Sequence, residues 1–413
     1  MSAQAHLASK GVTMQAAKDF INSNLTSPQT IFNVAKQYGV TNDMLAEIVG
    51  VSTSVVKNFW QGQNYAFATL DPVMTKSILS GDITTSMTLT KDKVWVLDGL
   101  VAVKNGATLT IEAGTTIVGR DGTGSATSYL VIDKGSKIMA EGTAAAPIIF
   151  TSEKSYDGGA PAVGQWGGLT IIGNAGNSQV NPYEVNTEFV AGTSNMADNS
   201  GVLKHILLYN SGITMQQDKE INGISFVGVG SGTTVDNITV DNSDDDGIEL
   251  WGGTVNLSNI TITRATDDYF DIDDGYSGTV TNLTIVQNGL GNAAIEMSGT
   301  TVATFDGLHI TQNGSNKEGT LFFKGAGIGG TFKNVTIIDN VTSATSPAGA
   351  IHSDNVGASA ATTTFTNVTI KGTSTEADFT GPAAAALQAA FNAGTGNVTL
   401  VGLSAVVDTA IIA

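Results

Sequence analysis

The sequence has 413 residues, a formal net charge of −18 and no cysteine. That length suits one long domain with a small companion. The absent thiols rule out disulfides and thiolate metal sites. The acidic balance disfavours nucleic acid and anionic lipid as partners and favours cations.

A 41% hydrophobic content is ample for a core, and 49 glycines with only 14% charged residues suit a β-rich chain with many tight turns. Two arginines, Arg120 and Arg264, and four scattered histidines offer no zinc-site pattern. The opening Met1-Ser2-Ala3-Gln4 lacks the basic and then apolar stretch of an ordinary signal peptide. A processed chain, another export route and an intracellular protein are the alternatives. No run of about 18 apolar residues occurs, so membrane insertion is not expected.

Residues 1–65 read as a helical docking or capping segment. Ala16-Ala17-Lys18-Asp19-Phe20-Ile21 is a short amphipathic run. Ser27-Pro28 opens a second helix, with Pro at the first helical position and Ile31, Phe32, Val34 and Ala35 on its apolar side, and Gly39 closes it. Residues 41–49 and 52–60 predict two more helices, each opened by a Thr or Ser cap. The stretch 40–52 superficially resembles a helix-turn-helix, but the helix that would enter DNA carries only Lys57. The segment resembles helical modules of large secreted bacterial adhesin-like proteins; it is read as capping the solenoid or docking on a neighbour, with docking preferred and Phe32, Leu45, Ile48, Phe59 and Trp60 as the assembly residues.

Residues 66–380 read as a right-handed parallel β-helix, making the chain mainly β. Residues 93–97, 107–111 and 115–118 alternate inward apolar residues with outward Thr, Lys or Glu. Then one phrase keeps returning. Asn237-Ile238-Thr239-Val240 is followed by Asn259-Ile260-Thr261-Ile262, Asn282-Leu283-Thr284-Ile285, Gly307-Leu308-His309-Ile310, Asn334-Val335-Thr336-Ile337, Asn367-Val368-Thr369-Ile370 and Asn397-Val398-Thr399-Leu400. The steps of 22, 23, 25, 27, 33 and 30 residues are those of a solenoid that makes one coil per repeat. The leading Asn is expected to form a ladder bonding to the backbone one coil away.

Several further blocks occur in order: Gly164-Gln165-Trp166-Gly167-Gly168, Asp198-Asn199-Ser200-Gly201, Glu220-Ile221-Asn222-Gly223, Trp251-Gly252-Gly253-Thr254 and Asp267-Asp268-Tyr269-Phe270-Asp271-Ile272-Asp273-Asp274-Gly275. Residues 85–345 thereby resemble a widespread family of secreted bacterial right-handed β-helix proteins. The resemblance implies the fold and leaves the activity open.

Aligning coils on the repeated phrase puts Asp245 over Asp267, Asp246 over Asp268, Glu249 over Asp271 and Trp251 over Asp273, with Asp273 near Glu296 one coil further. Ile248 lines up with Phe270, and Leu250 with Ile272 and then Ile295, so carboxylates are expected to stack outward. At a coil spacing of about 4.8 Å such charges repel unless neutralised. Calcium, which takes several hard oxygens in variable geometry, is the expected cofactor, ahead of magnesium. The candidate ligands are Asp244, Asp245, Asp246, Glu249, Asp267, Asp268, Asp271, Asp273 and Asp274, joined by Asp198 from the loop 174–200. A solvated acidic face that keeps an exported protein soluble is the plainer alternative.

Catalysis is the third reading. Arg264 would be a lyase-type base, Asp246 and Asp268 would serve an inverting hydrolase if about 6.5–9.5 Å apart, and Trp251 and Tyr269 would stack a sugar. The chain lacks a cluster of Lys, Arg and exposed aromatics to grip an anionic polymer, so no catalytic residue is assigned.

Residues 381–413 hold a short Ala-rich helix from Gly381-Pro382-Ala383 to Phe391, then an apolar stretch with Val398, Leu400, Val401, Leu403, Val406 and Ile411. That stretch either folds back as a cap or pairs with a second copy. The layout is similar to β-helical nanofibre subunits of β-proteobacteria, which implies a calcium-stabilised, extracellular, self-assembling structural protein of the cell surface or biofilm matrix. A carbohydrate-binding adhesin and a calcium-dependent polysaccharide lyase or hydrolase are the competing expectations.

Overall fold

Inward Ile, Val and Leu alternating with outward Thr produce a solenoid of short parallel strands. The computed structural model describes residues 2–24, 28–51, 56, 74–176, 183, 185–216, 219–313, 318–340, 349–355, 362–373, 379–396 and 399–403. Among these, 24 strands from Lys76 to Leu403 join edge to edge in one continuous parallel arrangement, so the chain is a parallel β-helix as expected.

Each coil contributes to three sheets. Ile224–Val227, Ile248–Trp251, Phe270–Asp273, Ile295–Met297 and Leu321–Phe323 stack as sheet B. Longer strands, such as Thr234–Ser243 and Asn256–Ala265, bend at an asparagine. Residues before the bend lie in sheet C and residues after it in sheet A. In Gly201–Tyr209 the two halves accordingly pair with two different earlier strands.

The bend explains the repeated phrase. Asn237, Asn259, Asn282, Asn334 and Asn367 are all left-handed, with φ between 52° and 56°, a conformation asparagine tolerates better than most residues. Their amides donate to side chains rather than to the backbone expected: those of Asn237 and Asn259 to Asp236, that of Asn334 to Asp306, and the other two to an asparagine one coil back. Asn282 donates to Asn259 Oδ1 at 3.1 Å, and Asn367 to Asn334 Oδ1 at 3.1 Å. Gly307 takes this corner at φ 81° because a Cβ there would lie 2.6 Å from Asn282 Oδ1.

Inside, Phe305, Phe332 and Phe365 stack with ring centroids 5.4 Å apart. The helix Ala384–Asn392 covers the C-terminal end of this core, with Phe391 edge-on to Phe365 and Phe379. Thr399–Leu403, which carries Leu400, Val401 and Leu403, pairs parallel with its own chain at Thr364–Thr373 and extends sheet A.

The N-terminal segment forms α1 (Ala3–Ser9), α2 (Met14–Ser23), α3 (Pro28–Tyr38) and α4 (Asn42–Val49); α1 was not expected. Phe32, Leu45 and Ile48, expected on an assembly surface, are instead buried in the core of this bundle. Helices of this length need an apolar face packed on neighbours, and these side chains supply it. The bundle touches its own solenoid: the Lys36 ammonium donates to the Asp157 carbonyl, and the Phe32 ring lies beside Gly158. Phe59, Trp60, Val398, Val406 and Ile411 lie outside the described residues. No helix among the described residues is long and apolar enough to cross a membrane.

Candidate metal centre

Sheet B carries the acidic residues in one outward column. Register places Ser225, Glu249, Asp271, Glu296, Phe322 and His352 directly over one another. Glu296 therefore stands over Asp271, not Asp273, while Ile295 stands over Phe270 and Met297 over Ile272. Alignment on the repeated phrase misplaces this coil because its turn is longer: Phe270 follows Asn259 by 11 residues, and Ile295 follows Asn282 by 13.

A second column lines the turn that enters sheet B. Asn222 Oδ1 accepts from the Asp246 amide at 3.2 Å, Asp246 Oδ1 from the Asp268 amide at 2.8 Å, and Asp268 Oδ1 from the Ala293 amide at 2.5 Å. Asn222, Asp246 and Asp268 perform one structural task in successive coils. The neutral Asn222 suffices for it, so the charges of Asp246 and Asp268 need another reason.

These carboxylates stack outward from the coils as expected, but they do not form the solvated face that was the plainer alternative. Asp246, Glu249, Asp268, Asp271 and Glu296 are each at most 9% exposed. Tyr183 and Phe189 of the long insertion, with Ile213 and Ile221 of the hairpin Ile213–Gln216 and Lys219–Ile221, cover the earlier coils of sheet B. The cluster begins where this apolar cover ends, and the Asn222 amide donates to Glu249 there.

Burial pushes the Asp246, Asp268 and Asp271 carboxyls well above the usual carboxylate range, and mutual repulsion adds to it. Two unit charges about 4.8 Å apart at an effective dielectric of about 20 repel by roughly 3 kcal/mol. At the rim, Lys324 Nζ lies 2.6 Å from Glu296 Oε1. Burial, with Glu296 beside it, pushes the Glu318 carboxyl up to about 7.

Asp246, Glu249 and Asp271 bring one oxygen each within 4.8 Å of one another; so do Asp268, Asp271 and Glu296, and, closer to solvent, Asp245, Asp246 and Asp267. Asp271 is common to the two buried triads, and its Oδ1 has no hydrogen-bond partner among the described residues. All the donors are carboxylate oxygens, which fit a hard divalent cation such as calcium. The unpartnered buried oxygen of Asp271 is what such an ion would satisfy.

The remaining candidates stand apart from these triads. Asp244 is half-buried against Gly164, and Asp273 Oδ1 accepts from the Asp274 amide at 2.5 Å. Asp274 is a left-handed corner residue. Asp198 lies away from the triads, packed on Gly230 and Gly232, which follow strand Ile224–Val227. Arg264 is held against Asp241 through its Nε at 2.7 Å and through a second guanidinium nitrogen. Tyr269 is buried in the main core and offers no sugar platform, while the partly buried Trp251 packs at a steep angle against Tyr183. Sequence reasoning gave Glu296 no ligand role and missed Asn222, Glu318 and Lys324. The register of Glu296 with Asp271 is the signal that would have found it.

A family model described as a pectate-lyase like beta helix domain matches residues 81–411. No curated protein matches the chain, and no solved structure does. The matched span runs through every coil of the solenoid bearing the carboxylates, and the chain belongs to the pectate-lyase-like β-helix family.

Proposed function

We propose that this protein is a structural β-helix whose middle coils are locked by a bound divalent cation, calcium before magnesium, and which stacks end to end into an extracellular fibre. The observation that carries the reading is the pair Asp246 and Asp268, which do the turn-closing work of Asn222 yet bring buried charge into contact with Asp271. Burying like charges costs several kcal/mol unless they are neutralised, and a bound divalent cation would neutralise them. The ends of the stack support assembly. Among the described residues, Lys76–Ile83 pairs on one side only, with Val94–Val103, and Ile78 is exposed there; Thr399–Leu403 also pairs on one side only. Parallel edges at opposite ends are complementary, and a heterologous contact that does not close grows into a fibre.

Electron microscopy of purified protein with and without a calcium chelator tests this. Filaments that fall apart on chelation are expected. Filaments indifferent to chelator would remove the cation from the structural role, and monodisperse particles in both conditions would sink the fibre.

A second reading, a polysaccharide lyase or hydrolase, draws on Glu318. A carboxyl that titrates near neutral pH beside Lys324 and Glu296 has the character of a general acid or base. Turnover of acidic polysaccharides that disappears in Glu318→Gln would favour it over the structural role.

A further inference from the structure

We propose that the ammonium group of Lys324 is a built-in counter-ion for one half of the carboxylate cluster, so that the native chain binds one divalent cation, among Asp246, Glu249 and Asp271, and not two. The inference rests on the cation reading above and deepens it. The two buried triads share Asp271 and are alike in donor type and spacing. They differ in their surroundings.

Lys324 follows strand Leu321–Phe323, one coil beyond Glu296, and reaches back so that its Nζ lies 2.6 Å from Glu296 Oε1. Desolvation works to lower its pKa, but the bond to Glu296 and the charges of Asp271 and Asp268 outweigh that and raise it. Those three carboxylates are the members of one triad, so a permanent cation already serves it. The charges that weigh on Asp246 are Asp245, Glu249, Asp271 and Asp268, all negative. Within the triad, Asp246 Oδ1 accepts from the Asp268 amide, and Glu249 accepts from Asn222. The unpartnered Asp271 Oδ1 adds a third donor.

Charge balance agrees with one ion. A divalent cation among Asp246, Glu249 and Asp271 leaves one net negative charge, and Lys324, paired with Glu296, set against Asp268 and Glu296 leaves the same. A second divalent ion would place two double charges about one coil spacing from each other and from an ammonium, at strong electrostatic cost.

Calorimetric titration of the full chain with calcium alone tests the proposal, on native protein, Lys324→Met and Lys324→Arg. Met keeps most of the apolar stem, and circular dichroism checks that the variant is folded. One calcium per native chain, two per K324M chain and one per K324R chain is the expected result, a twofold change that follows the charge and not the packing. One calcium in both native protein and K324M would overturn the counter-ion role while leaving the cation reading intact. Two in native protein would overturn it likewise. None in any of the three would overturn both. If K324M does not fold, K324R binding two ions would itself overturn the proposal.

Discussion

At the corner between sheets C and A, Asn259 donates to Asp236 Oδ1 at 2.7 Å and accepts from Asn282 at 3.1 Å, and the chain of amides climbs in the open. At the corner between sheets A and B, Asn222, Asp246 and Asp268 climb in the same way, but buried and accepting from backbone amides. An amide both donates and accepts, so the first ladder largely satisfies itself; a carboxylate only accepts, so the second ends in unmatched charge. The outward column of sheet B sharpens the contrast. Glu249, Asp271 and Glu296 give way to Phe322 and His352 in the same register, and there the two rings stack at 5.3 Å. Backbone pairing is thus indifferent to what stands outward. Acidic residues in three consecutive coils are a local feature of sheet B and not a demand of the solenoid.

The strongest way to break this contrast is to make the second ladder resemble the first. Asp246→Asn together with Asp268→Asn keeps both acceptor oxygens and both turns. Calcium at about a thousand times its dissociation constant stabilises a one-site protein by about 4 kcal/mol. The double variant should lose nearly all of that gain. Without calcium it should match or exceed native stability, by of order 1 kcal/mol, because buried like charges are removed. Denaturant melts with and without calcium measure both. A double variant that is less stable than native protein in chelator would mean the carboxylates are held for packing alone.

Acidity separates the ladders next. The Asp246, Asp268 and Asp271 carboxyls are raised, and Glu318 is raised from 4.5 to about 7. A raised carboxyl keeps its proton in the folded state where the unfolded chain has lost it. Without divalent ions, stability should therefore increase as pH falls from about 7 towards about 4.5, and be lost again as pH rises through that window. Saturating calcium should reverse the slope, because the ion needs deprotonated ligands and competes with the protons. Thermal melts at about pH 5 and about pH 8, each with and without calcium, read the sign. A slope unchanged by calcium would remove the ion from the cluster.

Sheet A and its corner were legible because one phrase carries the whole local rule: a residue that accepts a left-handed bend, then apolar residues alternating inward. Glu249 over Asp271 followed from that rule, since their coils have equal turns. Glu296 did not, since two extra turn residues shift it, and a period read from one corner says nothing about lengths at the next. Burial of the cluster was illegible for a different reason. The apolar cover at whose edge it begins comes from Tyr183, Phe189 and the hairpin near Ile213, where turn-like composition hides two aromatic anchors. Phe32, Leu45 and Ile48 show the same limit, because an apolar helical stripe does not say whether its partner is its own bundle or a second copy.

The smallest effect tests whether burial, and not charge alone, distinguishes the ladders. Asn259→Asp puts a carboxylate into the amide ladder at an exposed corner, where Asp tolerates the left-handed bend nearly as well as Asn. Burial works against the ionised Asp236, but bonds from Asn259, Ser258 and Asn237 hold its carboxyl below the usual range. The variant removes the Asn259 donor and sets an anion in its place. Water and salt screen that pair, so the cost should stay below about 1 kcal/mol and shrink with ionic strength. Calcium should not stabilise the variant beyond native protein, since half-buried Asp236 and exposed residue 259 supply two carboxylates where the buried centre gathers five. Melts across a salt series, with and without calcium, decide it. A loss of several kcal/mol, or a new calcium-dependent gain, would show that two stacked carboxylates suffice anywhere on this solenoid, and the buried cluster would lose its special standing.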